Sequence, residues 1–138
     1  MVDFLKNIKF HFIYILLLIS FGKSNEYIDV ITTNDIHGFL NEQKAFFINP
    51  NYPPKIIGGS GFYKYVKDVE ERLHNKADDV LLLDGGNFFQ GNPLGIVDSG
   101  KTMIEWMNRL EYDAIVPGQN DFLFGYKNLI NLSKIANF

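Results

Sequence analysis

Cysteine is absent from the 138 residues, which excludes disulfides, thiolate metal sites, cysteine nucleophiles and a bacterial lipid-modified cysteine. Positive charge is in short supply. Lys and Arg number 13 against 16 Asp and Glu, a formal charge of −3, which gives no support to the clustered basic footprint that a nucleic-acid backbone requires. A long apolar run is also missing, because Phe10 to Phe21 (FHFIYILLLISF) falls short of the roughly 20 residues a membrane-spanning helix needs. No internal repeat is visible. With 46% hydrophobic and 21% charged residues, the chain has the size and composition of one modest globular domain.

What is present begins with a leader-like segment. Lys6 and Lys9 precede the apolar run, and Gly22, Lys23 and Ser24 follow it with small and polar residues. A basic start, a short apolar centre and a small-residue exit are the layout of a secretory signal. Residues 1–24 are therefore expected to be a signal peptide or, if uncleaved, a membrane tether. Either way the folded part is expected outside the cytoplasm, in a periplasmic or extracellular setting.

Tyr27 to Leu40 (YIDVITTNDIHGFL) starts as a strand expected to be buried and ends in Asp35-Ile36-His37-Gly38. The stretch from Asn41 to Ile57 carries Asn49-Pro50 and Pro53-Pro54, which forbid a regular helix and mark a surface loop. A helix follows, with Ser60 as its expected N-cap and Phe62, Tyr65, Val66, Val69 and Leu73 on its inner face. Val80 to Leu83 (VLLL) reads as a strand buried on both faces. Lys101 to Leu110 reads as a helix with Met103, Ile104, Met107 and Leu110 turned inward. Asp113 to Val116 is a third strand, and a last helix is expected from Tyr126 to Asn137. Phe62, Tyr65 and Trp106 are expected in the core. Alternation of strand and helix argues for an α/β fold with a parallel sheet and right-handed crossovers.

In such a sheet, ligands collect beyond the carboxyl ends of the strands. Three unusual loops leave those ends, bringing Asp35 and His37, then Asp84 and Asn87, then Gln119, Asn120 and Asp121. A carboxylate and an imidazole two residues apart, with a glycine turning the chain away, form half of a metal-binding cup, so Asp35 and His37 are expected to bind a metal directly. Oxygen and nitrogen donors without sulfur suit Mn, Zn, Fe or Mg. Asp84 is expected to cap its strand end or to support the ligands from behind, direct ligation being the lesser alternative, and Asp121 to cap or buttress the final turn. Gly58-Gly59 lacks the Lys-Ser/Thr partner of a phosphate loop and reads as a helix entrance. His74, near a helix end, is expected to be solvated or stabilised by the helix dipole.

Ile31 to Leu40 (ITTNDIHGFL), Gly58-Gly59, Leu81 to Pro93 (LLLDGGNFFQGNP) and Tyr112 to Gly125 (YDAIVPGQNDFLFG) together resemble the N-terminal part of the 5′-nucleotidase family of calcineurin-like metallophosphoesterases. The likeness runs from Tyr27 to Phe138. It implies that residues 25–138 are the N-terminal, incomplete part of a four-layer α/β/β/α metallophosphoesterase sandwich. It also implies two divalent metal ions and hydrolysis of a small-molecule phosphate ester, commonly a nucleotide. Asp35 and His37 match the ligands of the first metal. Asn87 stands where the family has the aspartate that bridges both metals. Gln119 stands in place of an asparagine ligand of the second metal, and Asn120 in place of the histidine that assists the leaving group.

Each change has a chemical consequence. The Asn87 amide is neutral where a carboxylate would screen two cations from each other. Gln119 is one methylene longer than asparagine. The Asn120 amide does not titrate near neutral pH, and losing a general acid typically removes about 10²–10⁴-fold in rate. The resemblance thus implies an exported, metal-dependent phosphoesterase present as an N-terminal fragment. The alternative is a non-catalytic relative that keeps the fold for binding or scaffolding.

Overall fold

The computed structural model describes residues 28–72 and 80–138. The leader-like segment, Leu73 and His74 lie outside the described residues. Three parallel strands carry the fold: β1 (Asp29–Thr33), β4 (Val80–Asp84) and β5 (Ala114–Ile115), in the order β1-β4-β5. Asp29 to Thr33 pair in register with Val80 to Asp84, and Leu83 and Asp84 pair with Ala114 and Ile115. Between β1 and β4 come a short antiparallel ribbon, β2 (Gln43–Lys44) and β3 (Lys55–Ile56), and the helix α1 (Gly59–Arg72). After β4 come a single-turn α2 (Pro93–Ile96) and α3 (Lys101–Leu110); after β5, a 3-10 helix (Gln119–Phe124) and α4 (Tyr126–Ser133). No helix among the described residues is long and apolar enough to cross a membrane.

Helix α3 follows its periodicity to the residue, with Met103, Ile104, Met107 and Leu110 all buried. Each such side chain contributes about 1.5–3 kcal/mol relative to exposure. Together with Val66 of α1, Leu82 of β4, Phe88, Phe89, Tyr112 and Leu132 they make the core, and Ile31, Phe62 and Trp106 pack against it. Asp98 secures the start of α3 by accepting from the Thr102 N–H and hydroxyl at 2.9 and 2.7 Å.

Several local expectations are corrected. Strand β1 is not buried: Val30 is 56% exposed, because β1 is an edge strand and the helices cover only the face that carries Ile31 and Leu82. For the same reason β4 is buried at Val80, Leu82 and Asp84 but only half-buried at Leu81 and Leu83. The proline-rich stretch is not wholly irregular, since β2 and β3 pair within it. Ser60 is not the cap of α1. The helix begins at Gly59, whose N–H donates to the Leu40 carbonyl at 2.8 Å, and a Cβ on Gly58 would lie 2.1 Å from that same oxygen. The double glycine is therefore a helix entrance pressed against the β1 loop. Tyr65 is half-exposed rather than in the core, standing over the rim of β1 with Asp29, Val30 and Arg72. The loop after β5 coils into a 3-10 helix, and α4 ends at Ser133 rather than Asn137.

Candidate functional site

The site is built where the strands end. Pairing between the β1 and β4 segments continues past the sheet: Gly85 N–H donates to the Thr33 carbonyl, Asp35 N–H to Gly86, His37 N–H to Asn87 and Gly38 N–H to Phe88, all at 2.8–3.0 Å. Holding two irregular loops in this zipper forces unusual backbone. Asp35, His37 and Asn87 have φ of +54°, +50° and +56°. Left-handed residues other than glycine are uncommon, cost on the order of 1–3 kcal/mol and cluster at functional sites. Gly38 turns the chain away with φ +74°, as its place after His37 requires.

The third loop is drawn in by one buried carboxylate. Asp121 is fully buried and accepts from three main-chain N–H groups: Asn87 at 2.7 Å, Gly118 at 2.8 Å and Phe88 at 3.1 Å. Gly86, at φ +98°, permits the approach, since a Cβ there would lie 2.2 Å from the Gly118 nitrogen. Asp121 thus buttresses its turn and also ties it to the β4 loop.

At the rim, the His37 Nδ1 is hydrogen-bonded to the Gln90 carbonyl. A carbonyl only accepts, so Nδ1 carries a proton, and in the neutral ring Nε2 then keeps its lone pair. Nε2 faces Asp35 Oδ1 at 3.6 Å, with the two side chains 30% and 51% exposed. Asp35 Oδ2 accepts from Asn34 Nδ2 at 2.6 Å, and Oδ1 accepts from Asn87 Nδ2 at 2.7 Å. The other end of the Asn87 amide, Oδ1, accepts from the Asn120 main-chain N–H at 2.9 Å.

Whether these residues suit the metals implied by the resemblance can be tested on this geometry. A lone pair and a carboxylate 3.6 Å apart are separated as two donors to one ion about 2.1 Å from each. Fixing the far nitrogen of a histidine on a carbonyl is also how metal-binding imidazoles are oriented. That spacing suits two ligands of one cation, but Asp35 Oδ1 is already bonded to Asn87 Nδ2, both ends of the Asn87 amide are engaged, and no group of three His, Cys, Asp or Glu able to hold a metal ion exists among the described residues.

Beneath the rim, Asp84 caps β4. Its Oδ1 accepts from Gly86 N–H at 2.8 Å and its Oδ2 from the Thr33 hydroxyl at 2.6 Å, and that hydroxyl also meets the Tyr112 phenol at 2.9 Å. Burial pushes the Asp84 carboxyl above its ordinary range, opposed by the Thr33 and Gly86 hydrogen bonds. Burial pushes the Tyr112 phenol up as well.

The structure brings Asp35, His37, Asn87 and the Asn120 main chain together. Gln119 opens the 3-10 helix with its side chain exposed. Sequence reasoning missed Asn34 and the Gln90 carbonyl. Adjacency to Asp35 was a signal for the first; a main-chain acceptor leaves none.

No family model matches the chain. Among curated relatives, human 5′-nucleotidase is 32% identical over 114 residues, covering 79% of this chain and 19% of that protein. A snake venom 5′-nucleotidase from Crotalus adamanteus is 32% identical over 110 residues, covering 79% and 18%. A 2′,3′-cyclic-nucleotide 2′-phosphodiesterase/3′-nucleotidase from Haemophilus influenzae is 25% identical over 125 residues, covering 85% and 18%. Among solved structures, a 5′-nucleotidase precursor from Thermus thermophilus superimposes with a TM-score of 0.65 at 26% identity, covering 80% of this chain and 21% of that one. The chain spans about a fifth of the length of these relatives.

Proposed function

The chain carries an N-terminal 5′-nucleotidase-family domain, and on that premise we propose that its strand-end site serves metal-assisted hydrolysis of a phosphate ester, a nucleotide being the substrate class. The observation that supports this reading is the His37 Nε2 lying 3.6 Å from Asp35 Oδ1, with Nδ1 hydrogen-bonded to the Gln90 carbonyl. Asp35 and His37 are the ligands in this account. A divalent cation held there would polarise a phosphoryl oxygen and make a bound water more acidic. The Gln90 carbonyl keeps the imidazole in the tautomer whose Nε2 can bind a cation. The Asp35 carboxylate supplies the negative charge. At the family's histidine position Asn120 offers an amide, which cannot deliver a proton to a leaving group. Slow hydrolysis follows from that substitution. The N-terminal pattern of basic, apolar and small residues supports an exported protein.

The engaged Asn87 amide favours a second reading, a non-catalytic relative that binds rather than hydrolyses. Calorimetric titration with Mn²⁺ or Zn²⁺, followed by assay with p-nitrophenyl phosphate and AMP, separates the two. The hydrolase reading expects cation uptake and slow, cation-dependent phosphate release, both lost in Asp35→Ala. Stoichiometric uptake without any release would leave the binding reading. Unchanged uptake in Asp35→Ala would remove the ligand assignment.

A further inference from the structure

We propose that Asn87 acts as a neutral clasp that takes the place of a bridging ion, so that the strand-end site is held closed without metal and accepts one divalent cation rather than two. The inference rests on the assignment of Asp35 and His37 as the cation-binding end. Its own observation is different: the Asn87 amide is oriented unambiguously. Its Oδ1 accepts from the Asn120 main-chain N–H, which can only donate, so Nδ2 must be the end that faces Asp35 Oδ1. The side chain thus links all three loops, donating to the first and accepting from the third while its own main chain belongs to the second.

This arrangement has a charge logic. Asp35 receives N–H donors on both oxygens, from Asn34 and Asn87, which offset its negative charge where a cation would otherwise be required. A carboxylate at position 87 would face Asp35 Oδ1 at the same short range and repel it unless a cation lay between them. Asparagine removes that requirement. In doing so it also takes up an Asp35 lone pair, so the clasp competes with the cation for the same oxygen.

The clasp and a ligand role for Asn87 make opposite claims about Asn87→Ala. If the amide competes for Asp35 Oδ1, removing it leaves Mn²⁺ affinity equal to or tighter than that of the unaltered protein. If its oxygen binds the cation, removal weakens affinity by roughly tenfold or more. The first result is expected, and the second would overturn the clasp.

Asn87→Asp supplies an independent arm. In chelator this variant is expected to melt about 4–8 °C below the unaltered protein and to regain the loss when Mn²⁺ is added, with two ions bound per chain. The unaltered protein should bind one ion and gain less in melting temperature from Mn²⁺ over chelator than Asn87→Asp does. A chelator-induced drop in the unaltered protein as large as that in Asn87→Asp would contradict the proposal, as would two ions bound without the substitution. These outcomes are distinct from failure of the functional reading, which is decided by phosphate release from the unaltered protein and by Asp35→Ala.

Discussion

Asp121 and Asp35 lie on neighbouring loops and share Asn87 as a partner, yet they are built in opposite ways. Asp121 is fully buried and, among the described residues, is met only by main-chain N–H groups, those of Asn87, Phe88 and Gly118. Asp35 is half-exposed and, among the described residues, its carboxylate accepts only from side chains, those of Asn34 and Asn87. A carboxylate satisfied by backbone can be lost only by unmaking the loops it joins. A carboxylate satisfied by side chains can exchange them for another partner at small structural cost. The two aspartates therefore divide the labour: Asp121 holds the site in shape and Asp35 presents charge to a ligand.

The largest effect that could break this division is Asp121→Ala. It orphans three buried or half-buried N–H groups, so a loss on the order of 3 kcal/mol is expected in urea unfolding. A loss under about 1 kcal/mol would mean that the loops hold each other without it. Asp35→Ala should reverse the pattern. Divalent-cation affinity is expected to fall by roughly tenfold or more while stability changes by less than about 1 kcal/mol. Equal damage to folding would place Asp35 in the same class as Asp121.

Asp84 sharpens the comparison through pH. Its native pKa is raised above the ordinary 3.8, first by burial, so the native state holds this proton more tightly than the unfolded chain does. The stabilisation is fully present below the unfolded value and is lost as pH rises through the raised native value. In the metal-free protein, Asp84→Asn should flatten the fall in stability across that window, measured as the difference between the two pH profiles. A difference that grows with falling pH below 3.8 would contradict the sign. The smallest effect is expected at Asn120→Ala, within about 0.5 kcal/mol. Its main-chain N–H, and not its side chain, holds Asn87. A larger loss in the same urea experiment would give the side chain a role that the hydrogen bonds do not show.

The parts of the structure legible in the sequence are those fixed by local pattern. The four inward residues of α3 follow from their three- and four-residue spacing, and the VLLL run marks the central strand. Asp35 and His37 stand out as an acid and an imidazole released together beyond a strand. What escaped depends on neighbours. Whether Val30 is covered is decided by which face of the sheet the helices occupy, and a run of apolar letters does not carry that information. The start of α1 is set by the Leu40 carbonyl across the fold, which outweighs the capping preference of Ser60. Asn87 presents the same difficulty at the site. Its identity shows that a carboxylate is missing, but its function as a link depends on an N–H from position 120 and an oxygen from position 35. Only the folded geometry brings those together.

The most direct test is anomalous scattering from a crystal of the protein soaked in Mn²⁺. The account predicts one peak, about 2.0–2.2 Å from both Asp35 and His37 Nε2, with Asn87 still bonded to the Asn120 N–H. No peak between Asp35 and His37, or two peaks bridged by the Asn87 oxygen, would contradict it.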